Sequence, residues 1–151
     1  MSTERHLAQL NIGRLVAPTD HPRVAEFMGA LDRVNGIGKR SPGFVWMMEG
    51  SGEPGTGNIE NNIGDDPQFV ANLTVWDSIA DLEHFVWNTV HRHFLERRAN
   101  WFEALGAQLF VMWWIEPGHR PSLGEALERL EYLKANGPSD HAFDWAHART
   151  L

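Results

Sequence analysis

Apolar residues in this chain switch from a strand's period to a helix's period and back, and the order of those switches limits the fold. In Leu7–Val16, LAQLNIGRLV, residues Ala8, Leu10 and Ile12 fall on alternate positions and share one face. Leu7, Gln9, Asn11 and Gly13 then share the other. After APTDHP the spacing turns helical, through Val24, Phe27, Met28, Leu31 and Val34, and Pro22 suits a first turn. The glycines and proline of NGIGKRSPG are expected to end this helix. Phe44–Glu49, FVWMME, reads as a second strand. A polar stretch follows, rich in glycine and asparagine, and Gly50–Asp66 is expected to be a long loop of the kind that often carries function. Phe69–Asp77 is a third strand, with Phe69, Ala71, Leu73 and Val75 on one face and Val70, Asn72, Thr74 and Trp76 on the other. Ser78 caps a second helix, expected to run to about Ala104.

The stretch AQLFVMWWIEPG is a fourth strand, apolar enough to be buried on both faces. Its consecutive Trp113 and Trp114 must point to opposite sides. Ser122 and Glu125 form a capping box for a last helix, Leu123 to about Asn136, and Gly137 and Pro138 stop it. HAFDWA is expected to add a short edge strand before a frayed tail. The order is therefore β-α-β-β-α-β with an extra C-terminal helix, an α+β chain of the ferredoxin-like kind. Helices on one face of such a sheet leave the other needing cover. A second copy pairing sheet to sheet, as a homodimer, would supply it. Neither a repeat nor a composition break divides the chain, so residues 1–151 read as one domain.

A net charge of −7 and the lack of any basic stripe argue against a nucleic-acid partner. There is no cysteine, so disulfides, thiolate metal sites and thiol nucleophiles are excluded. No segment has the length and apolarity of a membrane span, and MSTERHLAQL lacks a signal core, so a cytoplasmic location is expected. P-loop, dinucleotide, zinc-helix and nucleophile-elbow motifs are missing.

Seven tryptophans are many for 151 residues, and they suit either a wide core or a ligand pocket needing polar handles. The stretch HFVWNTVHRHFLERRANWF, 84–102, concentrates aromatic and cationic groups. On a continuous helix Ile79, Leu82, Val86, Val90, Arg97 and Trp101 would form a core seam. His84, Trp87, His91, Phe94, Arg98 and Phe102 would form a flanking stripe whose composition core packing does not require. His91 is the candidate general base, its proton affinity lying near physiological pH. Arg98 is a candidate for binding a carboxylate, phenolate or enolate. His84 and His93 are expected at the surface. Asn11 and Asn72 stand out in the strands, where an amide can hold a carbonyl or an oxyanion. Trp46, Trp76, Trp87, Phe94, Trp101 and Trp114 are candidate pocket walls, with helix anchoring or dimer contact as the bland alternatives. His119 and Arg120 form a cationic turn at a helix start, suited to an anion or simply held by Pro117 and Pro121.

The motifs LAQLNIGRL, RSPGFVW, LTVWDS, the HR before RRANWF, WWIEPGHRPS and EALERLEYL together resemble a bacterial family of unknown function in the dimeric α+β barrel superfamily. The resemblance spans about Leu7 to Phe143. It implies a homodimer with a small-molecule pocket, in a superfamily that includes cofactor-free antibiotic-biosynthesis monooxygenases, isomerases, cyclases and heme-degrading enzymes. It implies a hydrophobic or aromatic substrate and no cofactor. Heme is the alternative: heme-degrading members use a first-strand asparagine, a tryptophan and a helix histidine that ligates iron, to which Asn11, Trp87 and His91 correspond. A non-catalytic binding module is the third reading.

Overall fold

A computed structural model describes residues 5–18, 20–48, 59–63, 66–88, 100–103 and 110–151. The elements are β1 (His6–Arg14), a 3-10 turn at Pro22–Val24, α1 (Ala25–Arg40), β2 (Phe44–Met47), β3 (Ile59–Ile63), β4 (Asp66–Trp76), α2 (Ile79–Asn88), β5 (Phe110–Ile115), α3 (Leu123–Asn136) and α4 (Trp145–Ala148). The strands form one antiparallel sheet in the order β2-β4-β1-β5, with β3 also on β4. β2 meets β4 at Thr74–Trp76 and β3 meets it at Asp66–Asn72, so the two lie end to end along one edge. Counted as one interrupted edge strand, they complete the ferredoxin-like α+β arrangement.

Several boundaries differ from the sequence reading. The expected Gly50–Asp66 loop contains β3, and β4 begins at Asp66 rather than Phe69. IENNI has no period-two pattern; its strand form follows from pairing with β4, a tertiary effect that overrides propensity. Helix α1 runs through Gly36 and Gly38 to Arg40. Gly38 is buried, and a Cβ there would lie 3.3 Å from Phe85 Cζ, so this glycine lets α1 and α2 approach closely. The helix ends at Ser41, whose hydroxyl donates to the Ile37 carbonyl at 2.8 Å. Gly43 turns the chain with φ of 83°, beside the Asp81 carboxylate.

Ser78 caps α2, accepting from the Asp81 N–H at 3.1 Å. The helix does not continue to Ala104. Phe102 bridges Leu15, the Val16 N–H donates to the Trp101 carbonyl at 2.8 Å, and the Glu103 N–H donates to the Arg14 carbonyl at 2.8 Å. Trp101 and Phe102 therefore leave the helical stripes and extend the end of β1. The Arg14 guanidinium and the Glu103 carboxylate pair across the same join.

On one face of the sheet Ala8, Leu10, Ile12, Leu73, Val75, Val111 and Trp113 pack with Ala126, Leu130 and Leu133 of α3. The chain's own α3 covers this face, and Leu10, Leu73, Val111 and Trp113 are fully enclosed. Each such side chain contributes about 1.5–3 kcal/mol by leaving water. The capping of α3 matches its sequence signature: Ser122 accepts from the Glu125 N–H at 3.1 Å, and Gly137 ends the helix with φ of 78°. Beyond it, HAFDWA makes isolated bridges, Phe143 to Met112 and Ala142 to Ser139, rather than a strand. The tail then forms α4, capped by Asp144 and fixed by a Phe110–Trp145 stack at 5.6 Å.

Candidate functional site

The opposite face of the sheet carries Leu7, Gln9, Asn11 and Gly13 of β1. Register sets Gln9 against Thr74 and Asn11 against Asn72, with Met112 and Phe110 as the β5 neighbours. Both ends of this face are aromatic. At one end Trp76 stacks on Phe85 of α2 at 5.3 Å and meets Phe44 edge-on at 5.6 Å. At the other end Phe102 lies over Gly13, where a Cβ would sit 2.6 Å from its ring, and Phe27 of α1 packs against both Phe102 and Trp101. Leu7 and Gly13 are six residues apart, so the ends are about 20 Å apart along the strand.

Between them lies a connected polar floor. The Gln9 side-chain nitrogen donates to Asn72 Oδ1 at 2.9 Å and to Thr74 Oγ1 at 2.7 Å. The Asn72 backbone carbonyl, which can only accept, lies 3.4 Å from the same nitrogen and fixes the orientation of the amide. Trp76 Nε1–H also donates to Thr74 Oγ1, at 2.9 Å. Gln9 and Thr74 are 5% and 4% exposed, so the network is buried in an otherwise apolar sheet.

Its hydrogen bonding is incomplete. Thr74 Oγ1 accepts two bonds, and among the described residues its own proton has no acceptor. Asn72 Oδ1 is occupied by Gln9, which leaves its NH2 unmet among those residues, and Asn11 has no side-chain partner there at all. The Trp87 indole N–H, on α2, is enclosed with no partner. Among the described residues the enclosed side-chain atoms without a partner are Trp87 Nε1 and His6 Nδ1, whereas Asn11 and Asn72 are half-buried.

The residues singled out from sequence divide clearly. Asn11, Asn72 and Trp76 share this face. Trp76 is 1% exposed with its N–H spent on Thr74, so it stands behind the floor as a support. Trp46 lies on the opposite face, beneath α3, because a bulge between Phe44 and Trp46 reverses the side to which it points. Trp114 sits beyond Leu7, tilted against Phe143 at 5.8 Å with the Arg5 guanidinium 4.5 Å from its ring. Trp101 is 3% exposed and anchors β1 to α1. His84 is exposed, as its position on α2 led one to expect. His91, His93, Phe94, Arg97 and Arg98 lie outside the described residues.

Gln9 and Thr74 were missed as site residues. Their signal was present in the polar alternate positions of both strands, but only register brings those positions together. The His119 turn is structural: His119 Nε2 lies 2.7 Å from Glu125 Oε1, and Trp113 Nε1–H donates to Glu125 Oε2 at 2.9 Å. Burial pushes the Glu125 carboxyl up, but the bonds from His119 and Trp113 and the charges of His119 and Arg129 outweigh it, leaving it below the usual range. Among the described residues no three histidine or carboxylate side chains gather as metal ligands, and no helix is long and apolar enough to cross a membrane.

Together these observations define an α+β protein of ferredoxin-like strand order with a polar network on one sheet face. The chain belongs to the family described as Domain of unknown function (DUF3291), whose profile matches residues 6–150. Among solved structures it is similar to a protein from Nitrosomonas europaea provisionally named an antibiotic biosynthesis monooxygenase. That likeness has a TM-score of 0.50 and 11% identity over 81% of this chain and 99% of the other. It is equally similar to protein SO0527 from Shewanella oneidensis, with a TM-score of 0.50 and 11% identity over 73% and 88% of the two chains. SnoaB, a cofactor-independent oxygenase from Streptomyces nogalater, aligns with a TM-score of 0.46 and 15% identity over 80% and 99%. A search of curated proteins returns no significant match.

Proposed function

We propose that this protein binds a planar, hydrophobic small molecule on the floor formed by Gln9, Asn11, Asn72 and Thr74. There it acts as a cofactor-independent monooxygenase-like enzyme, an isomerase or a cyclase. The single observation that carries this reading is the amide–hydroxyl network of Gln9, Asn72 and Thr74 between two aromatic ends of one sheet face. The three reaction types share a first step, loss of a proton from an acidic C–H to give an enolate. Asn11 and Asn72 would hold the enolate oxygen by hydrogen bonds. His91 would take the proton and Arg98 would add charge, in roles assigned from sequence. In the oxygenase case the enolate itself reduces dioxygen: a methylene becomes a carbonyl, one oxygen atom entering the ring and the other leaving as water. The monooxygenase-like fold is compatible with this chemistry, and the chain is proposed to act as one domain, in the cytoplasm and as a homodimer.

The test is turnover and binding with a panel of enolisable aromatic ketones and phenols, followed by absorbance. Asn11→Ala is expected to lower turnover at least tenfold with the melting temperature preserved, and His91→Ala to abolish it. A wild-type protein that binds none of the panel would refute the reading. Hemin is added as a separate arm, and a Soret band lost in His91→Ala would replace it with a heme function.

A further inference from the structure

The part of the floor that stays open carries an inference about where the ligand's ring sits, and it rests on the small-molecule reading above. Exposure divides this face by cross-strand rows. Gln9, Thr74 and Met112 form one row, and all three are buried. Asn72, Asn11 and Phe110 form the next row, and all three are half-buried. Paired residues of an antiparallel sheet point to the same side with Cβ atoms about 5 Å apart, so this row presents two amides and one ring over about 10 Å. The row after it holds Gly13, which Phe102 covers. Phe102 thus bounds the open row along the strands on one side, and the buried row bounds it on the other.

Across the strands the open row ends on the C-terminal tail. The Met112 N–H donates to the Phe143 carbonyl at 2.8 Å, and the Phe143 N–H donates to the Met112 carbonyl at 2.9 Å. This bridge is antiparallel, so two residues onward from Phe143 and two back from Met112 bring Trp145 beside Phe110. Asp144 caps α4 at that point, accepting from the His147 N–H at 3.0 Å. The Phe110 and Trp145 rings lie nearly parallel, at 12°. Trp145 therefore fixes the plane of a ring that stands next to the Asn11 amide.

We infer that the ligand's aromatic ring sits on the Asn72–Asn11–Phe110 row, with Phe110 as its wall and Trp145 holding that wall, so the C-terminal tail is part of the binding site. The Asn11 and Asn72 amides offer both N–H donors and carbonyl acceptors, so they serve a hydroxyl or a carbonyl on the ring edge. Phe110 adds a ring-to-ring contact that a saturated skeleton cannot make. Phe110 is thus a specificity-determining residue, and Trp145 is a positioning residue that acts through it.

The experiment uses the full chain with naphthol and its fully hydrogenated counterpart, which keeps the hydroxyl and the skeleton but has no aromatic ring. Calorimetry gives both dissociation constants. Wild type is expected to bind naphthol about three- to tenfold more tightly than the saturated alcohol. Phe110→Leu should bring the two affinities within about twofold of each other. Trp145→Leu should shrink the preference in the same direction, and Trp145→Phe, which keeps a ring for the stack, should retain it. A purely structural Trp145 would weaken both ligands alike and leave their ratio unchanged, which would overturn its positioning role. If Trp145→Leu does not fold, Phe110→Leu against Phe110→Tyr decides the matter, with tyrosine keeping the preference. Naphthol binding that Asn11→Ala weakens, with a ratio untouched by Phe110→Leu, would overturn this inference alone. Failure of both ligands to bind wild type would remove the small-molecule reading together with it.

Discussion

Replacing Gly13 by alanine tests the architecture of the floor, because one contact sets the size of the effect. Gly13 has no positive φ, so alanine meets no backbone penalty there, and in a strand it would ordinarily stabilise by about 0.5–1 kcal/mol. Its Cβ, however, would lie 2.6 Å from Phe102 Cδ1 and 2.9 Å from Cε1, well inside van der Waals contact. Phe102 cannot retreat freely: Phe27 packs edge-on against it at 5.0 Å, and its backbone is bridged to Leu15. Overpacking of this kind costs about 1–3 kcal/mol. For a chain of this length that lowers the melting temperature by about 2–12 °C. The assay is urea unfolding of wild type, Gly13→Ala, Phe102→Ala and the double variant. With the ring gone, the added methyl should cost nothing or stabilise slightly, so the cycle should return a coupling energy of about 1–3 kcal/mol. A Gly13→Ala penalty of equal size in both backgrounds would refute the account of this end of the floor.

Other outcomes follow from the same geometry. Gly43→Ala combines φ of 83° with a Cβ directed at the Asp81 carboxylate, so it should cost more than the ~1–2 kcal/mol of a left-handed alanine alone, read by denaturant unfolding. Glu125 is held below its ordinary range in the folded chain, so its stabilising contribution is present above the unfolded carboxyl value and is lost as pH falls through the lower folded value. Glu125→Gln should therefore be less stable than wild type near pH 7, with the gap closing as pH falls below the ordinary carboxylate range. A gap that stays constant in thermal melts across that range would assign it to geometry rather than charge. Gly38→Ala should loosen the α1–α2 contact through Phe85, with a penalty relieved in a Phe85→Leu background.

What the amino-acid sequence determined alone is local in origin. Period-two alternation assigned Gln9 and Asn11 to the face opposite Leu10, and Asn72 and Thr74 to the face opposite Leu73. Ser78 and Ser122 announced two helix starts because a cap acts on N–H groups only three residues away. The motif resemblance supplied the α+β fold that the coordinates display. Tertiary structure decided what depends on distant partners. Register joined Gln9 to Asn72 and Thr74, which lie more than sixty residues further along the chain. A bulge next to Val45 sent Trp46 to the far side of the sheet, although its spacing from Phe44 suggested a common side. Gly36 and Gly38 read as helix breakers until Phe85 supplied a reason for Gly38 to sit inside a helix. Gly13 is small because Phe102, 89 residues later, rests on it. Short-range patterns reveal which face a side chain takes; only packing reveals what it meets there, because those partners come from elsewhere in the chain.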